Sequence, residues 1–404
     1  MKETIRTKTG LLATGSAMAF VVLLGFTSLF SDVTYEGARG AAGQFMQVLG
    51  ASAFAVGVTA GAGELLGYGL RLMSGLIADR TRRYWLITLV GYGVNLLAVP
   101  ALALVGRWEI AMALLFAERI GKAIRTPSRD AMLSHATSQM GHGFGFGLHE
   151  AMDQVGAFLG PLIVAAALYA KGTGQADLAA YHTAFAVLLI PALLALTTLI
   201  IARALFPRPA ELESKTLRIG VERFGRPYWL YVIAAGLIAL GFADFPLMAY
   251  HFRAAALTPD EWIPTFYSFA MAIDAIAALV FGRLFDRKGL PVLALACALS
   301  ACFGPFVFYG GLPAVLVGLT LWGIGMGAQE SIMRAAIASM VSPTKRATAY
   351  GVFHTAFGVC WFAGSALMGF LYDRSLFSLV VFSVVIQLTA IPLLLGIRAE
   401  KLAT

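Results

Sequence analysis

The sequence predicts an all-α membrane protein with twelve transmembrane helices, arranged as two pseudo-symmetric six-helix bundles. Three observations predict this class: the composition, the spacing of the apolar runs and a charged motif that occurs once in each half. The chain is 59% hydrophobic and 13% charged, whereas a soluble domain carries about 25% charged residues. In water, such a chain would expose more apolar surface than its polar groups could cover.

The apolar residues fall into twelve runs that are long enough to cross a bilayer, which takes about 20 residues of helix. The runs are 12–46, 52–74, 84–105, 109–131, 145–170, 181–203, 228–252, 261–283, 290–309, 312–334, 347–372 and 376–397. The longest polar segment separates the sixth run from the seventh. We therefore expect an N-terminal six-helix bundle at 1–203, a cytoplasmic linker at 204–227 and a C-terminal six-helix bundle at 228–404.

A short charged motif follows the second run of each half, with aspartate and arginine four and five residues after a glycine. Its members are Gly75, Asp79 and Arg80 in the first half and, 207 residues later, Gly282, Asp286 and Arg287 in the second. The repetition indicates one membrane unit that was copied and joined in tandem. An aspartate at such a turn can cap a helix N-terminus and attract a basic residue of the other half. We expect these six residues to form a conformational latch.

The distribution of lysine and arginine predicts the orientation of the chain in the membrane. Most of these residues fall in one set of loops, and only Arg107, Lys171, Arg253 and Arg374 lie at or near the opposite set. Basic loops remain on the cytoplasmic side, so both termini and the linker are expected there, as an even number of spans requires. With no organelle-targeting segment in the sequence, the simplest location is a bacterial inner membrane.

Charged residues are absent from the interiors of the third, sixth, ninth and twelfth runs and concentrate in the other eight. A charge within hydrocarbon normally faces a watery cavity, a partner or a transport pathway. We therefore expect eight helices around a central cavity, with four outside. The pathway candidates are Asp32, Glu36, Glu118, Arg119, Lys122 and Asp244. Asp32 and Glu36 are four residues apart and so share a helix face, and the same spacing of Glu118 and Lys122 favours an ion pair between them. The alternative interpretation, that charges neutralise one another and hold helices together, suits Arg125, Arg129 and Asp130 better.

The fifth run contains two further candidate groups. His149, Glu150 and Asp153 place a histidine beside carboxylates, a combination that can relay protons; a polar helix-packing cluster explains them equally well. The second group consists of Gly156, Gly160 and Pro161. Two glycines on one face permit close packing, and a proline inside a helix removes a hydrogen bond and bends it.

No motif of a soluble enzyme occurs in the sequence. There is no P-loop, H-E-x-x-H, C-x-x-C or G-x-S-x-G, so we expect neither an enzyme nor direct use of ATP, and we assign no cofactor. Cys297, Cys302 and Cys360 lie in apolar stretches without other metal-ligating residues, so no metal site is predicted. The net charge of +8 is spread over short loops, so it indicates membrane topology and not a nucleic-acid partner.

Across all twelve runs the chain resembles the major facilitator superfamily. The segment from Gly75 to Arg83 resembles the superfamily's motif between the second and third helices, although Arg82 replaces a glycine, and the segment from Gly282 to Gly289 resembles the second copy. Arg119 lies in a segment similar to the fourth-helix motif that is associated with proton coupling. Gly156, Gly160 and Pro161 are similar to the fifth-helix motif of antiporters, without its fuller glycine pattern.

The resemblance implies alternating access by two rocking bundles and a small-molecule substrate, with protons as coupling ion and lipid around the helices. The preferred hypothesis is proton-coupled efflux by antiport, with a proton carried by Asp32, Glu36 or Glu118. One alternative is a proton-coupled importer of an organic anion, held by Arg39, Arg119 and Lys122. The other is a membrane sensor or scaffold that does not transport.

Overall fold

The computed structural model describes residues 2–137, 142–172, 174–208, 224–340 and 346–403. Within these ranges the long elements are all α-helices, and short 3-10 helices occur at Leu102–Leu104 and Asp260–Trp262. The helices are α1 Lys2–Val48, α2 Ala53–Thr81, α3 Tyr84–Ala101, α4 Trp108–Thr137, α5 His142–Tyr169, α6 Leu178–Val187, α7 Leu189–Leu205, α8 Arg226–Gly241, α9 Phe245–Ala254, α10 Ile263–Lys288, α11 Pro291–Ala301, α12 Phe303–Tyr309, α13 Leu312–Met340, α14 Arg346–Arg374 and α15 Leu376–Ala403.

Twelve spans arise from these helices because α6 with α7, α8 with α9 and α11 with α12 each form one span. In the described part of the chain, eleven spans are long and apolar enough to cross a membrane. The remaining span is α4, which has 30 residues but carries a stripe of charged side chains. At about 1.5 Å per residue its length is ample for a bilayer. Its charges point to a position inside the bundle, away from lipid.

The interruptions within three spans were not predicted from the apolar runs. Between α8 and α9 the chain leaves the helix at Phe242, and α9 restarts with Asp244 as its N-cap and Pro246 in its first turn. Proline lacks the N–H that would continue the ladder of hydrogen bonds. Pro191 lies in the first turn of α7, and Pro305 lies near the start of α12. The runs remain apolar through each break, so the hydropathy of the sequence does not reveal the breaks.

Two ends of the molecule can be distinguished by the course of the chain. At the linker end, α7 stops at Leu205 and α8 begins at Arg226; the far end is opposite. The halves meet through α1 with α9, α2 with α14 and α5 with α10. Several of these contacts are at the far end, where a Cβ on Gly43 would collide with the Pro246 carbonyl and one on Gly57 with the Ser365 carbonyl.

The far-end contact between α2 and α14 also includes hydrogen bonds from the first turn of α2. The Ala53 and Phe54 amides donate to the two carboxylate oxygens of Asp373, at 3.2 and 3.0 Å. A Cβ on Gly369 would meet the Ala53 carbonyl oxygen. The two halves therefore pack backbone against backbone at the far end.

Large apolar side chains are exposed along the spans that lack charges. Examples on α3, α7 and α15 are Leu86, Val90, Ile190, Ile200, Phe377 and Val385. Faces of this kind are suited to contact with acyl chains. Residues 209–223 lie outside the described part of the structure, so the proposed linker and the bundle boundaries beside it stay predictions.

Candidate functional site

A network of buried ion pairs lies at the junction of the two halves. The Arg39 guanidinium of α1 donates from Nη2 to Oδ1 of Asp244 at 2.9 Å and lies 3.3 Å from Oε1 of Glu64. Arg119 of α4 reaches the same Glu64 oxygen, also at 3.3 Å. Glu64 is thus shared by two arginines, and Arg39 links the first half to the second.

Glu118 joins this network through its neighbour in sequence. Its Oε2 lies 3.3 Å from Nε of Arg119, and its Oε1 accepts a hydrogen bond of 2.8 Å from Nδ2 of Asn95. From the helical spacing Lys122 was the expected partner of Glu118. Lys122 instead lies 4.0 Å from Oε1 of Glu36 and above the ring of Tyr35, because α1 passes close to this face of α4.

Glu36 connects the network to the second half a second time. Its Oε2 accepts a hydrogen bond of 2.6 Å from the hydroxyl of Tyr267, which lies on α10. Both side chains are buried. Hydrogen bonds to a charged group are stronger than those between neutral groups, so this contact contributes to the joint between the halves.

Asp244 has two roles that depend on the interruption between α8 and α9. Its Oδ1 accepts a hydrogen bond from the Phe245 amide at 2.8 Å as well as the bond from Arg39. The break in the span exposes an amide inside the bundle, and the carboxylate satisfies it. The predicted pathway residue Asp244 is therefore also a structural cap.

Cavities lie on the linker side of this network. One of about 300 Å³ has cationic and acidic side chains of α1, α2 and α4 on one wall. Its other wall has aromatic side chains of α14, with Phe357 and Trp361, beside methionine, glutamine and glutamate side chains of α13. A second, of about 280 Å³, is lined by Asp32, Glu36 and Lys122 together with residues of α5 and α10. On the far side, a small space of about 40 Å³ lies beside Arg39 and Asp244.

Of the predicted pathway residues, five thus participate in the ionic network: Glu36, Glu118, Arg119, Lys122 and Asp244. The sixth, Asp32, lines the second cavity without an ion pair in the described part of the chain. As their spacing predicts, Asp32 and Glu36 face the same cavity.

The candidate relay is only partly assembled. His149 Nδ1 lies 3.4 Å from Oδ2 of Asp153, one turn later on α5. Glu150 points elsewhere, into the space between α5 and α10, where it lines two cavities. A pairing of His149 with Asp153 fits both a proton relay and helix packing, so its role stays a prediction.

The glycine and proline residues of α5 pack on α1. A Cβ on Gly156 would meet the Leu29 carbonyl oxygen, and one on Gly160 would meet the Val33 carbonyl oxygen. Pro161 lies inside α5 and packs against Gly40. These residues allow α5 to approach the helix that carries Asp32 and Glu36.

The expected latch lies at the linker ends of α2 and α10. Asp79 is inside α2 and Asp286 inside α10, but their side chains lie outside the described part of the structure. Asp79 is thus not at the start of a turn, and the N-cap of α3 is Arg83, without a side-chain cap bond. Gly75 packs against Pro127, and Gly282 against Ser331; Arg80 and Arg287 are exposed.

Near the linker end of α4, Arg129 is paired as the neutralising interpretation predicts, whereas Arg125 has no carboxylate partner among the described residues. Arg129 pairs with Asp130 at 2.8 Å and donates to Ser28 Oγ at 3.1 Å. Arg125 is buried, and its guanidinium lies 4.2 Å from the ring centre of Tyr92, which is within the range of a cation–π interaction.

Several residues at the junction are absent from the predicted pathway set. Glu64 and Asp274 are intramembrane charges, and that signal alone would have found them, whereas Arg39 was predicted only as an anion ligand in the import alternative. Asn95 and Tyr267 are different, because an uncharged polar residue in an apolar run is common. Their importance becomes visible only from their bonds to Glu118 and Glu36.

Comparison with known proteins identifies the family. The family model described as Major Facilitator Superfamily matches residues 10–364 and 228–402. Uncharacterised proteins of Mycobacterium bovis and Mycobacterium tuberculosis are 40% identical over 394 residues, covering 96% of this chain and 95% of theirs. An uncharacterised MFS-type transporter of Methanocaldococcus jannaschii is 26% identical over 366 residues, covering 88% of this chain and 89% of its own.

Solved structures share the fold at low sequence identity. The nucleoside transporter NupG aligns with a TM-score of 0.70 at 14% identity, over 94% of this chain and 98% of its own. A peptide transporter POT in complex with sulfate gives 0.71 at 15% identity, over 94% of both chains. A bacterial homologue of the lysosomal transporter Spinster, captured inward-facing, gives 0.67 at 14%, over 95% of this chain and 96% of its own. The predicted fold of two six-helix bundles is confirmed, and the chain is a multi-pass membrane transporter that belongs to the Major Facilitator Superfamily.

Proposed function

We propose that this protein is a proton-coupled secondary transporter that exports a small organic solute by antiport. The observation that carries the proposal is the buried network of ion pairs at the junction. In it, three carboxylates are paired with three cations: Glu36, Glu64 and Glu118 with Lys122, Arg39 and Arg119. A carboxylate stays ionised in a membrane while a cation is near and takes up a proton when that cation moves away. Relative motion of the halves would change those distances.

The junction couples such motion to protonation. Arg39 is bonded to Asp244, and Glu36 to Tyr267. Both bonds join the two halves, and Arg39 and Glu36 are also members of the ion-pair network. Separation of the halves must therefore break bonds of residues on which the charge balance of the network depends. The cavities lie at the linker end, and the halves pack closely at the far end. If the linker is cytoplasmic, this conformation is open towards the cytoplasm, where an exporter loads its substrate.

The orientation and location proposed with this function rest on the basic loops and on the family. We propose a bacterial inner membrane with both termini and the linker in the cytoplasm, and bundle boundaries near residues 203 and 228. Accessibility of single cysteines to a membrane-impermeant reagent, introduced at exposed Arg80 and at exposed Lys171, tests the orientation. Labelling of position 171 but not of position 80 in intact cells is expected.

The test of proton coupling uses purified protein in liposomes with an imposed pH gradient. A thermal-stability screen first selects solutes that bind. We expect Glu118→Gln and Asp32→Asn to abolish flux driven by the gradient and to retain substrate counterflow, because exchange needs no net proton movement. Glu109→Gln is the matched control, since Glu109 is 43% exposed and pairs with Arg107. Gradient-driven flux at the wild-type rate in both test variants would refute the assignment.

Import of an organic anion is the second candidate, favoured by Arg71. This arginine lines the first cavity, its Nε is buried without a hydrogen-bond partner, and it stacks on Tyr68 among the described residues. The same liposomes discriminate the two directions of coupling. Solute flux opposite to the proton gradient supports antiport, and flux along it supports import by symport.

A further inference from the structure

Two buried carboxylates line one cavity from opposite halves of the molecule. Asp32, on α1, is 6% exposed, and Asp274, on α10, is 2% exposed. Both line the cavity of about 280 Å³. In the described part of the chain, Oδ1 of each has no hydrogen-bond partner and neither carboxylate has an ion-pair partner. These two groups are therefore unlike the paired carboxylates of the junction.

The cavity around them is acidic. Its lining includes seven carboxylates and four lysine or arginine side chains. Among these carboxylates, Glu36 lies beside Lys122, Asp130 beside Arg129 and Asp153 beside His149. The lining of this cavity therefore has more acidic than basic side chains, and a solute that enters it meets an excess of negative charge.

A buried carboxylate without a cation is costly unless it carries a proton or receives a positive ligand. An organic anion would have to compete for Arg39 and Arg119 with Asp244, Glu64 and Glu118, which already occupy them. An organic cation would be attracted by the carboxylates of the second cavity, which outnumber its basic side chains seven to four. The charges thus favour a cation over an anion.

We propose that the transported solute is an organic cation whose charged nitrogen binds in the cavity that Asp32 and Asp274 line and takes the place of protons held there. This inference rests on the proposed function and names its substrate class. The protons leave the two carboxyl groups as the cation arrives and return when it departs, so no other reactant is needed. The apolar body of the solute packs against Met271 and, in the adjoining cavity, against Phe357 and Trp361.

The groups that face the two carboxylates determine how binding depends on pH. Asp274 faces Glu330 of α13, Glu150 of α5 and Glu36 of α1; Asp32 faces Asp153 of α5, Lys122 of α4, and Tyr35 and Glu36 of its own helix. Most of these neighbours are carboxylates, so acidification removes negative charge from the whole site. Cation binding must weaken as pH falls.

Binding of three compounds with one skeleton tests the charge preference: 3-phenylpropylamine, 3-phenylpropan-1-ol and 3-phenylpropionate, with tetraphenylphosphonium as a permanent cation. Calorimetry on the purified full-length protein is expected to show that both cations bind at least about tenfold more tightly than the alcohol and the acid, a difference of about 1.4 kcal/mol. Lowering the pH from about 8 to about 5.5 should weaken cation binding by a similar factor. Tighter binding of the acid, or no binding of either cation, overturns the proposal.

Variants test the two positions separately. Asp274→Asn and Asp32→Asn should each weaken amine binding about tenfold, whereas Asp274→Glu, which keeps the charge, and the exposed control Glu109→Gln should bind as the wild type does. Size-exclusion chromatography checks that each variant folds. If one asparagine variant does not fold, the variant at the other position still carries the test. Wild-type affinity in both asparagine variants overturns the proposal.

Liposomes separate a failure of this inference from a failure of the proposed function. If the protein moves another class of solute against a pH gradient and binds no cation, the substrate class is wrong and the transport function stands. If it binds the amine with the expected pH dependence and moves it at the same rate with and without a pH gradient, the substrate class stands and the proton coupling is wrong.

Discussion

Arg39 on the first helix and Asp244 at the start of α9 are 205 residues apart in sequence, and their side chains meet at 2.9 Å. Arg39 also lies beside Glu64, so one guanidinium bridges two carboxylates of different halves. Because Asp244 caps α9 as well, the ion pair is anchored to the break in its own span. Movement of one half relative to the other must act on this pair.

Replacement of Asp244 separates its charge from its capping role. Asp244→Asn keeps a good N-cap but loses the ion pair, and Asp244→Ala loses both. We expect the alanine variant to be less stable than the asparagine variant by about 1 kcal/mol, the usual contribution of a cap. Thermal unfolding in one detergent measures the difference. Equal stability of the two variants would show that the cap does not contribute.

A methyl group on Gly43 should disrupt the close packing of the halves at the far end. Its Cβ would collide with the Pro246 carbonyl oxygen, whereas a Cβ on Gly93 meets nothing within 4 Å. Glycine to alanine in a helix is ordinarily stabilising by about 1 kcal/mol, so Gly93→Ala is the control. We expect Gly43→Ala to lower the unfolding temperature and to increase the reactivity of a cysteine placed at exposed Phe54. Unchanged reactivity would contradict this account.

Asp260 forms a polar clasp between the halves at the far end. Its Oδ2 accepts bonds from Arg253 Nε at 2.9 Å, the Ala176 amide at 2.9 Å and the Tyr181 hydroxyl at 3.1 Å. Asp260→Asn removes the charge, and charge-assisted bonds are about twice as strong as neutral ones. We expect the variant to populate a conformation that is opened at the far end.

Distances between spin labels at positions 171 and 258 measure that opening, after replacement of the three native cysteines. A longer distance in Asp260→Asn than in the parent is expected. The control is Asp177→Asn, because Asp177 is a nearby aspartate that caps α6 within one half. The same distance distribution in Asp260→Asn and in the parent would rule out a clasp.

Removal of the Tyr267 hydroxyl should weaken the second contact between the halves. Tyr267→Phe deletes the 2.6 Å bond to Glu36, and a hydrogen bond to a charged group contributes about 1.5–3 kcal/mol. We expect lower thermal stability and slower gradient-driven flux. Tyr309→Phe, at a tyrosine that is 57% exposed, should leave both unchanged. Wild-type stability and flux in Tyr267→Phe would exclude the bond from the coupling.

The span count and the family were accessible from the sequence because both depend on properties that are local along the chain. Apolar runs report burial in lipid, and the motifs around Gly75 and Arg119 are contiguous. The predicted network residues Glu36, Glu118 and Lys122 were found because a charge in an apolar run is costly wherever it lies. The same signal does not show which of these charges pair with each other.

Partners depend on which helices touch, and helical spacing alone misassigned one of them. Lys122 was expected beside Glu118, but the contact of α1 with α4 brings it to Glu36. The pairing of Arg39 with Asp244 and the cap role of Asp244 require the break after α8. The apolar run continues through that break, so neither was predictable. The latch proposed for Asp79 and Asp286 stays a prediction.

Part of the far-end joint is bare peptide, with Gly43, Gly57 and Gly369 against carbonyl groups of the other half. These contacts can part and re-form without the movement of a long side chain. Little rotamer freedom is lost when they form, so they depend on shape, and salt concentration should affect them less than it affects the Asp260 clasp.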